Sequence, residues 1–148
     1  DQDWDALLEL NLTSSMALTR ALAPAMMQRG WGRIIYISSI MGLASAADRV
    51  AYSTTKAALH GMVRANALRL GPYGVTANCL APGPFATELT ASRLTAEQRE
   101  AFAARTAVGR WGDPAELAPA ALLLASPAGG YITGSVLVVD GGVTARMW

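Results

Sequence analysis

The pair Tyr52 and Lys56 has the clearest chemical potential in the sequence. On an α-helix, residues four positions apart lie on one face about one turn apart, so a phenol and an ammonium would stand side by side. A free tyrosine titrates near pH 10 and exchanges protons poorly at neutral pH. A neighbouring ammonium stabilises the phenolate and makes a phenol more acidic. The same spacing also occurs on many surface helices without chemistry, so the pair needs support from other residues.

Two polar residues outside this pair are candidates for the same site. Ser39 follows a strand-like run, and its hydroxyl could donate to a substrate carbonyl oxygen. The alternative for Ser39 is a hydrogen bond to the backbone of its own loop, which is common for a loop serine. Asn11 lies on the apolar stripe of a predicted helix, where a polar side chain needs hydrogen-bond partners. The hydrogen-bond partner of the Asn11 side chain could be a group of the functional site or the neighbouring backbone.

The periodicity of apolar residues predicts the elements that hold these side chains. Helices are predicted over residues 4–29, 51–70, 95–106 and 113–125, and strands over residues 33–38, 75–80 and 136–139. Residues 39–50 are predicted to form a loop, and Pro24 is expected to kink or end the first helix. Strands that alternate with helices predict a parallel sheet covered on both faces. A nucleotide-binding doubly wound fold usually has about six strands, so three indicate part of a larger sheet.

Composition excludes several classes of protein. The 148 residues are 52% hydrophobic with a net charge of +1, which suffices for one core and excludes a disordered chain. The balanced charge disfavours nucleic acid as a partner, and no apolar run reaches the roughly 18 residues of a membrane helix. The first residues lack the features of a signal peptide. Cys79 is the only cysteine, which fits a reducing compartment, so a cytoplasmic location is predicted.

Lysine, cysteine and histidine each occur once in the chain. Lys56 is the only lysine, although the chain has eleven arginines. Cys79 is expected to be a small buried hydrophobe within a strand. The only histidine, His60, follows Lys56 by four positions and could lie near the site, but the surface or an interface is the preferred expectation. No metal site is predicted.

Five segments, taken in order, resemble the short-chain dehydrogenase/reductase family. They are NLT at residues 11–13, GRIIYISSIMG at 32–42, YSTTKAAL at 52–59, NCLAPGPFAT at 78–87 and ITGSVLVVDGG at 132–142. Within them, Asn11, Ser39, Tyr52 and Lys56 are similar to the family's catalytic tetrad. The resemblance spans nearly the whole chain and implies a Rossmann-like doubly wound α/β fold. It also implies an oxidoreductase that interconverts a secondary alcohol and a ketone with NAD or NADP.

The resemblance assigns a role to each matched residue. Tyr52 would be the general acid/base, and Ser39 would orient and polarise the substrate oxygen. Lys56 would make the phenol more acidic and bind the nicotinamide ribose, while Asn11 would hold a water that relays protons from Lys56 to solvent. The nicotinamide end of the cofactor would be lined by Pro82, Gly83 and Thr87.

Other family features have no counterpart in the chain. The glycine-rich turn that reads roughly TGxxxGxG, the residue that selects NAD or NADP, and the NNAG segment are not found. We therefore expect residues 1–148 to be the C-terminal catalytic portion of a single Rossmann-type domain, with the N-terminal cofactor-binding portion outside the chain. The chain alone is then not expected to bind the dinucleotide tightly. The serine-bearing strand would have a bare edge. Because the Asn- and Tyr-bearing helices form the family's main dimer interface, a homodimer or homotetramer is expected.

Substrate choice is expected to depend on residues 85–111, which could form a lid over the substrate. Five apolar residues there could cover the substrate or could simply pack together: Phe85, Leu89, Leu94, Phe102 and Trp111. Three segments resemble gluconate 5-dehydrogenase-type members, which act on sugar acids: PGPFATEL at residues 82–89, RTAVGRWGDPAEL at 105–117 and ALLLASPAGGYITG at 121–134. They also resemble 3-oxoacyl-carrier-protein reductases. A truncated, non-catalytic oligomerising fragment is the alternative from another class.

Overall fold

A computed structural model describes residues 2–145 of the chain, except for the side chains of residues 2, 3, 89, 91 and 93. The helices are α1 (Gln2–Leu8), α2 (Ser14–Gln28), α3 (Val50–Leu70), α4 (Glu88–Arg93), α5 (Ala96–Arg105) and α6 (Ala118–Ala125). The strands are β1 (Gly32–Ile37), β2 (Val75–Pro82) and β3 (Val136–Val139). Short 3₁₀ turns cover Ile40–Gly42, Gly71–Tyr73, Pro114–Leu117 and Pro127–Gly129. The predicted order of helices and strands is confirmed, with α4 as an unpredicted addition.

The three strands form one parallel sheet in the order β1-β2-β3. Gly32 pairs with Val75 at the start of β1, and Cys79 pairs with Val136 where β3 joins the sheet. The predicted parallel sheet of a Rossmann-like α/β fold is confirmed for the part of the chain that the structure describes. Strand β2 lies in the centre and is buried along nearly its whole length, whereas β1 is only partly buried.

Helices cover both faces of this sheet. Alternate strand residues point to opposite faces, and α3 packs Leu59 and Val63 against Ala77 and Cys79 on one of them. Helix α6 lies against the other face and contributes the fully buried Leu124. Cys79 is fully buried, as expected, and burial raises the pKa of its thiol to about 12.

The first helical region is continuous but irregular. Between α1 and α2, Glu9–Thr13 forms a single π-helical segment, in which the Ser14 N–H donates to the Glu9 carbonyl five residues earlier. Helix α2 then runs through Pro24 to Gln28, so the prediction that Pro24 could end the regular helix is wrong. The irregularity lies instead around Asn11. Isolated π segments of this kind occur frequently at functional sites.

The outer edge of β1 is unpaired within residues 2–145, which agrees with the expected bare edge. A groove of about 380 Å³ runs between this edge and α2. Exposed apolar side chains border it, namely Leu10, Leu18, Leu22 and Ile37. Long apolar edges of this kind favour pairing with another strand.

Candidate active site

Helix α3 carries Tyr52 and Lys56 near its N-terminus, with both side chains half-buried. The Lys56 Nζ lies 5.5 Å from the centroid of the Tyr52 ring, within the range of a cation–π contact. The predicted side-by-side arrangement of the phenol and the ammonium is therefore present. Further along the helix, the fully buried Leu59 and Val63 fix α3 against the sheet.

The Lys56 ammonium lies at the carboxyl end of β1. Its Nζ donates a hydrogen bond of 2.9 Å to the carbonyl oxygen of Ile37, the last residue of the strand. Burial lowers the pKa of Lys56 below its ordinary value. An ammonium has three hydrogens, so this contact leaves it able to donate to further groups. In open α/β sheets, ligands bind outside the carboxyl ends of the strands, where this ammonium lies.

Ser39 follows two residues after Ile37 and is buried. Its Oγ accepts a 3.1 Å hydrogen bond from the Met41 N–H and caps the 3₁₀ turn Ile40–Gly42. The loop-backbone alternative for this serine is thus part of its role. Because Ser39 Oγ is the acceptor, this bond does not use the hydroxyl hydrogen, which can be donated to another oxygen.

Asn11 is joined to the same turn of α3 through Thr55. The Asn11 Nδ2 donates a hydrogen bond of 3.1 Å to Thr55 Oγ1. Thr55 Oγ1 in turn donates a hydrogen bond of 2.8 Å to the Tyr52 carbonyl oxygen. Thr55 is fully buried, so the hydrogen-bond partner that Asn11 requires on its apolar stripe is a side chain of α3. The chain of contacts holds the π segment against the first turn of α3. Thr55 was assigned no role from the sequence, although it directly precedes Lys56 and lies three positions after Tyr52.

Besides Tyr52 and Lys56, which are also cofactor candidates, three candidate cofactor residues lie at and after the end of β2. Pro82 is its last residue, and the Gly83 N–H donates to the Val139 carbonyl at 2.9 Å. A Cβ at Gly83 would lie 2.6 Å from Asp140, so a larger residue does not fit there. Thr87 caps α4 in a reciprocal arrangement with Thr90. These contacts show structural roles, and cofactor contacts of the three residues stay a prediction.

Residues 85–111 form a closed excursion from the sheet. Its base is fastened by two backbone hydrogen bonds, from Ala86 N–H to the Gly112 carbonyl (2.9 Å) and from Gly112 N–H to the Pro84 carbonyl (3.0 Å). The rings of Phe102 and Trp111 pack edge to face at 5.6 Å. The Phe85 ring fills the space beside Gly112, where a Cβ would lie 2.7 Å from it. Packing therefore accounts for these aromatic residues. Leu94 is half-buried, and the side chain of Leu89 lies outside the described residues.

Two buried residues near the site were not assigned a function from the sequence. Ser38 and His60 are hydrogen-bonded to each other at 2.7 Å, with exposed fractions of 3% and 6%. The expectation that His60 lies at the surface or an interface is wrong for the described chain, because the ring packs between α3 and the loop after β1. The alternative expectation, a place near the site one helical turn after Lys56, agrees with this contact.

Comparisons with known proteins agree with this geometry. A family model described as enoyl-(acyl carrier protein) reductase matches residues 1–144. The 3-oxoacyl-[acyl-carrier-protein] reductase of Vibrio cholerae is 40% identical over 143 residues, which cover 97% of this chain and 58% of the relative. The short-chain reductase protein NovJ of Streptomyces niveus is 40% identical over 148 residues, covering 96% of this chain and 56% of that protein.

Solved structures give the same result. The crystal structure of a gluconate 5-dehydrogenase from Burkholderia cenocepacia in complex with NADP and tartrate matches with a TM-score of 0.94 and 37% identity. The match covers 99% of this chain and 58% of that one. The chain thus spans a little over half the length of these relatives. No helix within residues 2–145 is both long and apolar enough to cross a membrane. On the family model, the sequence identity and the shared fold, the chain belongs to the short-chain dehydrogenase/reductase family.

Proposed function

We propose that the chain is the C-terminal catalytic portion of an NAD(P)-dependent oxidoreductase that interconverts a secondary alcohol and a ketone. The observation that carries the proposal is the position of the Lys56 ammonium. It is half-buried, 5.5 Å from the Tyr52 ring, and bound to the Ile37 carbonyl two residues before Ser39. A cation, a phenol and a hydroxyl group are thereby gathered at the carboxyl end of one strand.

Each group has a defined task in this reaction. The Tyr52 hydroxyl gives a proton to the ketone oxygen or takes one from the alcohol, as a general acid/base. The Ser39 hydroxyl donates to the same oxygen and orients it. The Lys56 ammonium lies against the Tyr52 ring and, in our proposal, holds the nicotinamide ribose beside it. Asn11 holds the π segment on Thr55 and, in our proposal, supports a water-mediated proton path from Lys56.

The residues of the site fit one end of a nicotinamide cofactor. Lys56 uses one described donor on Ile37 and has others for ribose hydroxyl groups. In our proposal Pro82, Gly83 and Thr87 line the nicotinamide end. The cofactor, when bound, accepts or supplies the hydride. The sequence contains no glycine-rich turn after a strand, so we assign pyrophosphate binding to residues outside the chain.

Two substrate classes are supported by relatives. The solved Burkholderia structure is a gluconate 5-dehydrogenase, which favours a sugar acid, whereas the Vibrio relative is a 3-oxoacyl-[acyl-carrier-protein] reductase. We place the sugar acid first and the 3-oxoacyl thioester second. The test is a substrate panel with the complete gene product, following NADH and NADPH absorbance. Turnover of 5-ketogluconate or gluconate supports the first class. Turnover of a 3-oxoacyl thioester alone supports the second.

We also propose a homodimer or homotetramer in the cytoplasm. The exposed apolar residues Leu18 and Leu22 of α2 and Leu68 of α3 support self-association. Sedimentation velocity tests the oligomeric state, and a monomer at micromolar concentration contradicts it.

The non-catalytic alternative predicts association without turnover for every substrate in the panel. A fluorescence titration tests the cofactor assignment, because micromolar NADH or NADPH binding by the 148-residue chain contradicts it.

A further inference from the structure

Ser38 joins the end of β1 to the middle of α3. Its backbone N–H donates to the Leu80 carbonyl at 2.8 Å and so extends the pairing with β2 by one residue. Its side-chain Oγ lies 3.0 Å from the Lys56 carbonyl oxygen and 2.7 Å from His60 Nε2. The hydroxyl is therefore placed between the strand and two residues of the helix.

Counting hydrogens assigns the direction of these bonds. Ser38 has one hydroxyl hydrogen, and the Lys56 carbonyl is a pure acceptor, so that hydrogen is donated to Lys56. His60 Nε2 must then donate to Ser38 Oγ, which requires the Nε2–H form of the ring. Burial, and secondly the charge of Arg64, lower the pKa of His60 and favour the neutral ring. In this arrangement Ser38 Oγ and His60 Nε2 each have a hydrogen-bond partner.

The loop after β1 closes on the same point. A Cβ at Gly42 would lie 2.8 Å from the His60 Cε1 and 2.9 Å from the Lys56 carbonyl. Backbone and ring occupy that space, so only glycine permits so close an approach. The loop that carries Ser39 is thereby seated on His60 and Lys56.

Lys56 is consequently held at both of its ends by two consecutive residues, the last residue of β1 and the residue after it. Its ammonium donates to the Ile37 carbonyl at 2.9 Å, and its own carbonyl accepts from the Ser38 hydroxyl at 3.0 Å. Movement of this turn of α3 away from β1 would break both contacts together. We call Ile37, Ser38, Gly42, Lys56 and His60 the strand-end junction.

We propose that Ser38 and His60 are positioning residues that set the distance between the Lys56 turn of α3 and the end of β1 that bears Ser39. The proposal rests on the proposed function for its catalytic consequence. Neither residue needs to touch the substrate, because both act through Lys56 and the loop of Ser39. Misplacement of reacting groups by about 1 Å can cost about a hundredfold in rate.

The first test measures kinetics of the complete gene product. Ser38→Ala is expected to lower kcat about tenfold with KM changed less than about twofold, because binding groups stay while the reacting groups shift. His60→Leu is expected to lower kcat about fivefold, and His60→Gln to restore most of it, since the Gln amide can donate to Ser38.

A matched control lies on the same strand. Tyr36 is also buried, and its hydroxyl bonds Thr19 at 2.7 Å and Asn66 at 2.9 Å, away from Lys56. Tyr36→Phe should reduce thermal stability and leave kcat unchanged. If Ser38→Ala and His60→Leu lower kcat no more than Tyr36→Phe does, or if His60→Gln fails to recover activity lost in His60→Leu, the inference is overturned.

The second test needs no turnover. In the complete gene product, acetylation followed by mass spectrometry of the peptide that carries Lys56, the only lysine of residues 1–148, measures the accessibility of this amine. Ser38→Ala and His60→Leu should accelerate acetylation of Lys56 at least about threefold, because the contact with Ile37 is loosened. Tyr36→Phe should leave this rate unchanged. Equal rates in all variants overturn the inference, whereas a wild-type enzyme inactive on the whole substrate panel contradicts only the proposed function.

Discussion

The strand-end junction and residues 85–111 are fastened by different kinds of interaction. At the junction, buried side chains bond directly to backbone groups of another element, as Ser38 does with Lys56. The 85–111 segment is closed by backbone hydrogen bonds at its base, by the Phe102–Trp111 ring contact and by the adjoining ion pair between Arg110 and Glu116. Each contact at the junction depends on one particular side chain. The segment depends mostly on backbone and exposed groups.

In our proposal, this difference separates the residues that position proton transfer from the residues that select the substrate. Buried, fully bonded polar groups hold one geometry because any displacement leaves a polar atom unsatisfied. Exposed ion pairs and surface aromatic contacts tolerate replacement at small cost. On this proposal, the junction keeps the geometry of the reaction, and the 85–111 segment can change with the substrate. Substitutions in the two regions should accordingly affect different measurements.

The largest expected effect comes from Tyr52→Phe. Loss of the hydroxyl removes the proton donor and should lower kcat of the complete enzyme by about 10²–10⁴-fold. Because the ring stays in place, the thermal midpoint and sedimentation behaviour should remain those of the wild type. Steady-state kinetics and differential scanning calorimetry check the two parts. Full activity in this variant would contradict the assignment of Tyr52 as general acid/base.

Thr55→Val tests the link between the π segment and α3. The Asn11 amide loses its acceptor in a buried position, so the free energy of unfolding should fall by about 1–3 kcal/mol. Thr54→Val, at the exposed neighbouring position, is the matched control and should change it by less than about 0.5 kcal/mol. Urea unfolding measures both. Equal losses would show that the Asn11–Thr55 bond contributes nothing specific.

Phe102→Leu tests whether residues 85–111 contribute to stability and to substrate binding. Removal of the edge-to-face contact with Trp111 should lower the free energy of unfolding by about 1 kcal/mol. If the segment covers the substrate, KM should rise about threefold while kcat stays within about twofold of wild type. A reduced kcat with unchanged KM would break the proposed separation between the two regions.

The smallest effect is expected for Glu116→Gln. Hydrogen bonds from Arg110, and next from the Asp113 N–H, lower the pKa of Glu116 from 4.5 to about 2. A lowered carboxyl pKa stabilises the folded chain above pH 4.5, and this stabilisation is lost as the pH falls towards 2. At pH 6 the variant should therefore melt a few degrees below wild type at most, since the pair is exposed. The gap should close between pH 4.5 and 2, and a gap independent of pH would contradict the assignment.

The sequence predicted the features that depend on local pattern. Alternating helices and strands followed from periodicity, and the Tyr52–Lys56 arrangement followed from helical spacing. The π segment around Asn11 was missed. It differs from an α-helix only in that a backbone N–H donates to the carbonyl five residues earlier and not four, and the apolar pattern does not show this difference. Contacts between distant residues were missed for a related reason. The Ser38–His60 bond joins positions 22 apart and exists only because β1 and α3 pack together.

His60 shows how a composition argument can mislead. A lone histidine is frequently exposed, since its ring is polar and titrates near neutral pH. Here the hydroxyl of Ser38 supplies the hydrogen-bond partner that makes burial tolerable. The prediction that Pro24 ends the helix was wrong for a comparable reason. Proline disfavours a helix interior by a lost hydrogen bond, but the helix of α2 is fixed by packing of Ala23 and Met27 against the sheet and α3.

The parallel pairing of β1 with β2 also has a consequence for the order of folding. Gly32 pairs with Val75 and Cys79 pairs with Val136, so neither strand pair can form from neighbouring sequence. At synthesis rates of about 5–20 residues per second, β1 waits roughly 2–9 s for its partner strand. Of the elements made earlier within residues 2–31, α2 packs against β1 in the folded chain. Non-local pairings of this kind slow folding, because the loop between them must close before any strand contact forms. The edge of β1 that faces β2 therefore stays open to misassociation until α3 and β2 have been made.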